Sequence, residues 1–161
     1  TTCPHCYTTI KKEYAQIGGN FEVYHQAEFI NKLMSEGKLK LNPALEGKVT
    51  LHDPCYLGRV NGIFDQPRNV LGKVSKGAYE EMRRNHNQSF CCGGGGGRIW
   101  MEEHHKRINH ARIDEAIAIE ANTVVTACPY CLIMMEDAIK DKEKIETMKA
   151  MDLSEVVVKG L

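Results

Sequence analysis

Cysteine is the residue type whose number and spacing in this sequence point most clearly to chemistry. The chain has seven cysteines, and Cys91 and Cys92 are adjacent and run directly into the five glycines 93–97. Thirty-five residues separate Cys55 from Cys91, and another thirty-five separate Cys92 from Cys128. Because three turns can bring five thiols to one centre, we predict that this centre holds an iron–sulfur cluster. The predicted ligands are Cys55, Cys91, Cys92, Cys128 and Cys131.

The sequence around these cysteines favours the thiolate form that metals require. Pro129 is typical of a first helical residue, so Cys128 and Cys131 should begin a helix, whose N-terminus carries partial positive charge. The glycines after Cys92 leave backbone N–H groups free to approach sulfur. An adjacent cysteine pair is awkward for one tetrahedral zinc ion and suits a centre with several irons. A structural zinc site stays open as the alternative.

Three side chains near the cysteines are candidates to support the centre. Arg98 follows the glycines, Arg59 follows Cys55, and His52 ends a predicted strand three residues before Cys55. Positive charge at Arg98 and Arg59 would stabilise a thiolate that develops at the site. For His52, capping or a hydrogen bond to a ligand is favoured over direct ligation. No catalytic side chain is predicted, because the cluster itself would carry the chemistry.

The remaining motifs receive simpler interpretations. His104, His105 and His110 share a predicted helix, where a polar surface explains them without a metal. Glu102–Glu103 and Lys140–Lys144 are interpreted as solvated faces. The glycines resemble a phosphate-binding loop, but neither Gly-Lys-Ser/Thr nor G-x-G-x-x-G occurs there.

The composition is that of an ordinary globular domain, with 161 residues, 42% of them hydrophobic and 26% charged. The formal net charge is zero, which argues against a nucleic-acid-binding surface, and no apolar run is long enough to span a bilayer. Unpaired cysteines in C-x-x-C pairs do not suit a secreted disulfide framework, so a cytoplasmic location is predicted. Because the chain begins at Thr1, we expect a piece of a larger protein. If an anchor holds the larger protein at the cytoplasmic face of a membrane, we expect it in the part of that protein outside this sequence.

Strand and helix patterns alternate, which predicts an α/β fold with a mainly parallel sheet and helices on both faces. Strands are predicted at 49–52 and within 122–127, with a short candidate at 21–24 and a weak one at 145–151. Helices are predicted over 7–17, 26–36, 66–74, 98–120 and 129–139, followed by a last one capped by Asp152 or Ser154. Because two strands lead directly to Cys55 and Cys128, the cysteine loops should lie at one rim of the sheet.

The sequence also contains an internal echo. Cys-Pro-His-Cys at 3–6 repeats the pattern of Cys-Pro-Tyr-Cys at 128–131, and each opens a predicted helix. We therefore interpret 1–20 as the tail of a preceding copy of the motif, and 21–161 as one complete C-terminal domain packed as a unit with it. Cys3 and Cys6 lack the other cysteines of their own copy, so they are interpreted as two thiols without a cluster.

Together these motifs resemble the cysteine-rich CCG domain of heterodisulfide reductase B and D subunits. The same domain occurs in related iron–sulfur oxidoreductases, including glycolate-oxidase-type iron–sulfur subunits. The resemblance rests on the five-cysteine spacing, on His-Asp-Pro-Cys-Tyr-Leu-Gly-Arg at 52–59, and on Pro67-Arg68, which look like the D-type branch. It covers nearly the whole chain.

This resemblance implies a specific cofactor and role. The five cysteines would hold a noncubane [4Fe-4S] cluster that relays electrons or reduces a disulfide acceptor, as part of an oxidoreductase. The implied partners are redox subunits of the same complex: ferredoxin-type clusters and a flavoprotein or quinone-linked subunit. The alternative from another class is a non-catalytic module whose zinc is structural and whose task is assembly.

Overall fold

A computed structural model describes residues 1–101 and 106–161, which form three parallel strands surrounded by helices. The strands are β1 (Val49–His52), β2 (Thr123–Thr126) and β3 (Lys149–Asp152), paired in the order β1-β2-β3. The α-helices are α1 (Pro4–Thr8), α2 (Gln26–Ser35), α3 (Asp65–Val74), α4 (Ile108–Ala118), α5 (Pro129–Asp141) and α6 (Leu153–Gly160). Shorter helical turns lie at Thr9–Glu13, Tyr14–Ile17, His86–Gln88 and Arg98–Trp100. None of the described helices is both long and apolar enough to cross a membrane.

The alternation of side chains along each strand creates two apolar layers on opposite faces of the sheet. Val125 of β2 packs in a layer with residues of α2, α3 and α6, whereas its neighbour Val124 packs in a second layer with α4 and α5. Leu51 of β1 and Met151 of β3 pair with Val125 and join the first layer. This arrangement confirms the predicted α/β fold, with a parallel sheet covered on both faces.

The parallel register brings the carboxyl ends of the strands to one rim. His52 pairs with Thr126, and Thr126 pairs with Asp152, so all three strands end together. The turn after β1 carries Cys55, and the turn after β2 carries Cys128. The predicted placement of the cysteine loops at one rim is therefore confirmed.

The segment 21–24, a short strand candidate, forms no strand. The carbonyl of Tyr24 accepts a hydrogen bond from the Thr1 amine at 3.0 Å, and Phe21 is exposed. The segment thus follows the N-terminus along the surface, where no strand of the sheet adjoins it.

The helix expected over 98–120 begins only at Ile108. Gly97 has a positive φ of 78° and starts a single 3-10 turn, after which Met101 is extended. Arg107 is also extended, which prevents a continuous helix from joining the two segments. Glu102, Glu103, His104 and His105 lie outside the described residues.

Residues 1–20 form hydrogen bonds with the loop that follows Cys55. Asn61 Nδ2 donates to Thr8 Oγ1 at 2.8 Å, and Lys12 Nζ donates to the carbonyl of Val60 at 3.2 Å. Tyr7 is buried in the first apolar layer. The division into the tail of one motif and a complete second domain stays a prediction.

Asp53, in the turn that carries Cys55, forms a buried ion pair with Arg68 of α3 and also ties this turn to the loop that leads to Cys91. Both carboxylate oxygens of Asp53 accept from Arg68, at 2.6 and 2.9 Å, and one of them also accepts from the backbone N–H of His86 at 2.8 Å. Ser89 Oγ donates to the carbonyl of Asp53. The carboxylate of Glu81 accepts two further hydrogen bonds from the guanidinium of Arg68. Since the side chains of Asp53 and Arg68 are only 3% and 12% exposed, water screens this pair little.

Replacing Asp53 with Asn should destabilise the protein, because it leaves a buried guanidinium with one carboxylate instead of two. We expect the free energy of unfolding to fall by about 3 kcal/mol, as when one partner of a buried pair is removed. Urea unfolding of the metal-free protein measures this change.

The matched control is Glu36→Gln. Glu36 pairs with Lys38 in a largely exposed ion pair, whose loss should cost about 1 kcal/mol or less. If the two variants lose the same stability, the Asp53 pair does not have the structural role described here.

His25 caps α2 with a neutral imidazole ring. Its Nδ1 accepts from the N–H of Ala27 at 3.2 Å, so the ring proton sits on Nε2 and is donated to the carbonyl of Thr2 at 3.1 Å. Burial lowers the pKa of His25 below its usual 6.5, since the charged form would lose its hydration. Protonation of Nδ1 would also place a new N–H group against the N–H of Ala27, so the capping hydrogen bond would be lost.

Because the folded-state pKa of His25 is depressed, its contribution to stability is present above pH 6.5 and is lost as the pH falls. We expect the free energy of unfolding to decrease from pH 7 to pH 5. The decrease should be smaller in His25→Asn, which keeps a capping oxygen but cannot titrate. Denaturant unfolding of both proteins at the two pH values is the measurement, and equal decreases would contradict this role of His25.

Candidate metal centre

Five of the seven cysteines meet at the rim of the sheet. Their sulfurs form a continuous series of hydrogen-bonding contacts that runs from the turn after β1, through the glycine loop, to the start of α5. Both adjacent cysteines of the loop take part: Cys91 contacts Cys55, and Cys92 contacts Cys131. In order along this series, the residues are Cys55, Cys91, Cys92, Cys131 and Cys128.

The series divides into a buried part and a more open part. Cys92, Cys128 and Cys131 are buried, whereas Cys55 and Cys91 are only partly so. Water is therefore excluded from one side of the sulfur series, and an approaching molecule would meet Cys55 and Cys91 first.

The contacts split the cysteine pKa values in opposite directions. Hydrogen bonds from Cys55 and Cys92 lower the pKa of Cys91, and a hydrogen bond from Cys131 lowers that of Cys128. The pKa values of the cysteines that donate these hydrogen bonds change in the opposite direction. The hydrogen bond to Cys91 raises the pKa of Cys55, and the hydrogen bonds to Cys128 and Cys92 raise that of Cys131. The contacts thus lower the pKa of Cys91 and lower that of Cys128 to about 7, which favours the thiolate form of both residues.

The glycine loop supplies backbone donors to the sulfurs. The N–H of Gly93 donates to Cys91 Sγ at 3.3 Å, and the N–H of Gly94 donates to Cys92 Sγ at 3.4 Å. Gly93 has a φ of 88°, a conformation that other residues rarely adopt. A Cβ at Gly94 would stand 3.0 Å from Met134. These two positions therefore favour glycine for geometric reasons.

His52 lies directly behind the cysteines at the end of β1. Its side chain is buried, and one of its ring nitrogens lies within 4.8 Å of the sulfurs of Cys92 and Cys131. Its Nδ1 accepts from Arg112 Nε at 3.0 Å. Burial, followed by the charge of Arg112, lowers the pKa of His52 well below 6.5.

The two candidate arginines differ in position. Arg59 is exposed, donates to the carbonyl of Ser89, and its positive charge lowers the pKa of Cys55 in part. Arg98 lines a neighbouring cavity of about 190 Å³ together with Gly93 and Met134. Arg59 is thus coupled to the cysteines, whereas Arg98 borders an adjoining space. The supporting roles of both arginines stay predictions.

Cys3 and Cys6 stand apart from the five-sulfur series but adjoin it through aromatic rings. The ring of His5, between them in sequence, lies 4.0 Å from that of Tyr56 and 5.8 Å from that of Tyr130. Cys3 Sγ lies 3.8 Å from His5 Nδ1. The helix that begins at this Cys-Pro-His-Cys sequence therefore packs beside the turns that carry Cys55 and Cys131.

His110, assigned to a polar surface, forms an ion-pair contact with Asp141 at 3.1 Å. That contact lies between α4 and α5, which accounts for His110 without a metal.

Sequence reasoning missed Arg112, which is fully buried. A signal was present, because Asn109, Arg112, Ile113 and Ala116 share one face of α4, and all four are buried. A charged residue at core spacing on a helix indicates a buried polar partner, here His52.

The site suits a metal–sulfur group on its own geometry. Five cysteine sulfurs lie in one connected series, contacts within the series lower the pKa of Cys91 and Cys128, and His52 Nε2 is buried without a partner among the described residues. One tetrahedral zinc ion takes four ligands, so it would leave at least one of these sulfurs unused. The donor set therefore fits a centre with several irons better than a single ion.

Comparison with known proteins identifies relatives over the whole chain. It is 47% identical to the EtfAB:quinone oxidoreductase of Syntrophomonas wolfei, over 99% of the chain and 23% of that protein. It is 40% identical to a probable iron-sulfur-binding oxidoreductase, FadF, of Bacillus subtilis, over 100% of the chain and 23% of that protein. A third relative, from the dihydromethanophenazine:CoB–CoM heterodisulfide reductase of Methanosarcina mazei, is 33% identical, over 99% of the chain and 39% of that protein.

The chain thus spans about a quarter to two-fifths of the length of these relatives. The family model for the CCG cysteine-rich domain matches residues 49–136, which include all five cysteines of the sulfur series. On this match, and in agreement with the resemblance carried by the cysteine spacing, the chain belongs to the cysteine-rich CCG domain family.

Proposed function

We propose that this chain is the iron–sulfur redox module of a larger oxidoreductase, and that its five-sulfur series holds one [4Fe-4S] cluster of the noncubane type. When bound, the cluster would supply single electrons. The observation that carries the proposal is the number of convergent sulfurs. Four cysteines satisfy a cubane cluster, whereas this rim presents five in one continuous series.

The protein's own groups are suited to hold such a centre. Because the pKa values of Cys91 and Cys128 are lowered, these two residues lose their thiol protons to a metal more readily than an ordinary cysteine. The N–H groups of Gly93 and Gly94 donate to sulfur and would stabilise negative charge there. Burial of Cys131 and its neighbours excludes water from one side.

The open side suits an electron acceptor. Cys55 and Cys91 are partly exposed, and a cavity of about 300 Å³ adjoins the loop, lined by the glycines 94–97, His5, Trp100 and Tyr130. We propose a disulfide-like compound as the acceptor, which takes up two electrons and two protons to give two thiols. Arg59 would stabilise the thiolate as it forms.

The relatives' names support redox partners for the remainder of the protein. Two of them name a quinone oxidoreductase and a heterodisulfide reductase. We propose that this module exchanges electrons with ferredoxin-type clusters and with a flavoprotein or quinone-linked subunit. We place it in the cytoplasm, because the seven cysteines are free thiols, which a reducing compartment maintains.

The first test is Cys55→Ser, in protein reconstituted with iron and sulfide without oxygen. We expect this variant to lose or convert the cluster, because the open end of the series loses its sulfur. The sheet should stay folded, since its apolar layers do not involve Cys55. Iron, sulfide and zinc analysis, together with EPR spectra, provide the measurement.

Cys6→Ser is the matched control, because Cys6 is exposed and outside the series. It should keep the iron content of the unchanged protein, about four iron atoms per chain. Unchanged iron content and EPR spectrum in Cys55→Ser would contradict ligation by five cysteines. One zinc per chain, without sulfide, would favour the structural zinc alternative.

The second test addresses the acceptor. Small thiols are added to the oxidised, cluster-loaded protein while the EPR spectrum is followed. If the centre engages sulfur directly, we expect the spectrum to change with saturation. A spectrum indifferent to every thiol, with rapid electron exchange with a flavoprotein, would instead favour an electron relay.

A further inference from the structure

The orientation of the His52 ring is fixed by a partner that can only donate. Arg112 Nε donates to His52 Nδ1 at 3.0 Å, and a guanidinium has no acceptor atom. Nδ1 therefore presents its lone pair to Arg112. The one proton of the imidazole ring must then sit on Nε2.

Arg112 is itself held so that it cannot turn away. It is fully buried, and its other nitrogens donate to the carbonyls of Arg84 and Leu51 and to the carboxylate of Glu115. Glu115 also compensates the buried positive charge. The hydrogen bonds that hold Arg112 thus determine the tautomer of His52.

The Nε2–H group of His52 is left with no protein partner. Nε2 is buried and unbonded among the described residues, and a ring nitrogen of His52 lies within 4.8 Å of the sulfurs of Cys92 and Cys131. A buried donor without an acceptor is unfavourable. The nearby chemistry that can accept it is anionic sulfur.

We propose that His52 is a positioning residue that donates its Nε2–H to a sulfur of the metal centre, either a cysteine thiolate or a sulfide. The inference rests on the proposed function. A hydrogen bond to sulfur stabilises the more negative, reduced form of an iron–sulfur centre. His52 therefore raises the reduction potential of this one, and Arg112 keeps the donor in place.

The test compares the loaded protein with His52→Leu and His52→Gln. Leucine removes the donor, whereas the amide of glutamine can accept from Arg112 and still present an N–H group. We expect His52→Leu to shift the one-electron equilibrium about tenfold towards the oxidised form, which is 59 mV. His52→Gln should restore most of that shift. Potentials are measured by redox titration followed by EPR.

A spectroscopic signature separates this role from a merely structural one. With histidine labelled with ¹⁵N, the loaded wild-type protein should show a weak histidine nitrogen coupling in ENDOR spectra, and one exchangeable proton in addition to those of the Gly93 and Gly94 N–H groups. Both should be lost in His52→Leu. Because the wild-type spectrum tests the hydrogen bond by itself, the inference stays testable even where the leucine variant does not fold.

Four results would overturn the inference. A strong nitrogen coupling would make His52 a ligand and not a donor. A loaded wild-type protein with neither signal, or a His52→Leu protein with unchanged potential, would show that the donor is not used. Wild-type protein that takes up no iron and sulfide would overturn the proposed function, and this inference with it.

Discussion

The geometry of the rim depends on the buried ion pair between Asp53 and Arg68. The cysteine turns lie in loops without regular structure, and such loops need side-chain partners to hold them. Asp53 provides these, since its carboxylate binds Arg68 and the backbone of His86 at the same time. The turn after β1 and the segment leading to Cys91 are thereby held together, which permits the contact between the sulfurs of Cys55 and Cys91.

The parallel sheet supplies the second constraint. Because β1 and β2 are adjacent and end together, the turns after them cannot separate. The glycine loop then closes the gap between the two turns, with one cysteine facing each side. Buried behind this loop, Arg112 and His52 extend the polar network beneath the sulfurs. Three layers therefore follow one another at the rim: the charged pair of Arg112 and Glu115, the imidazole ring of His52, and the cysteine sulfurs.

Much of this arrangement could be predicted from the sequence. β1 was predicted at its observed residues, and Cys55 and Cys128 follow strands that end at the same rim. Asp152 and Ser154 were the two predicted caps of α6, and the hydrogen bond from the N–H of Ser154 to the Asp152 carboxylate identifies Asp152 as the cap. These features succeed because local patterns and the geometry of parallel strands determine them.

What the sequence did not reveal depends on contacts between distant residues. Arg112 and His52 are 60 positions apart, and neither signals the other locally. The helix predicted from Arg98 begins only at Ile108, because Gly97, Met101 and Arg107 adopt non-helical conformations. The pairing of Arg68 with Asp53 likewise joins two elements whose proximity only the fold creates. The donor set and the family both favour an iron–sulfur group at this site.

Anomalous diffraction from anaerobically loaded crystals tests the central claim most directly. Data collected on both sides of the iron and zinc absorption edges locate each metal independently of activity. A cluster held by five cysteines should give several iron peaks, within bonding distance of all five sulfurs from Cys55 to Cys131. A single zinc peak among His52, Cys92 and Cys131, or iron bound only at Cys3 and Cys6, would contradict it.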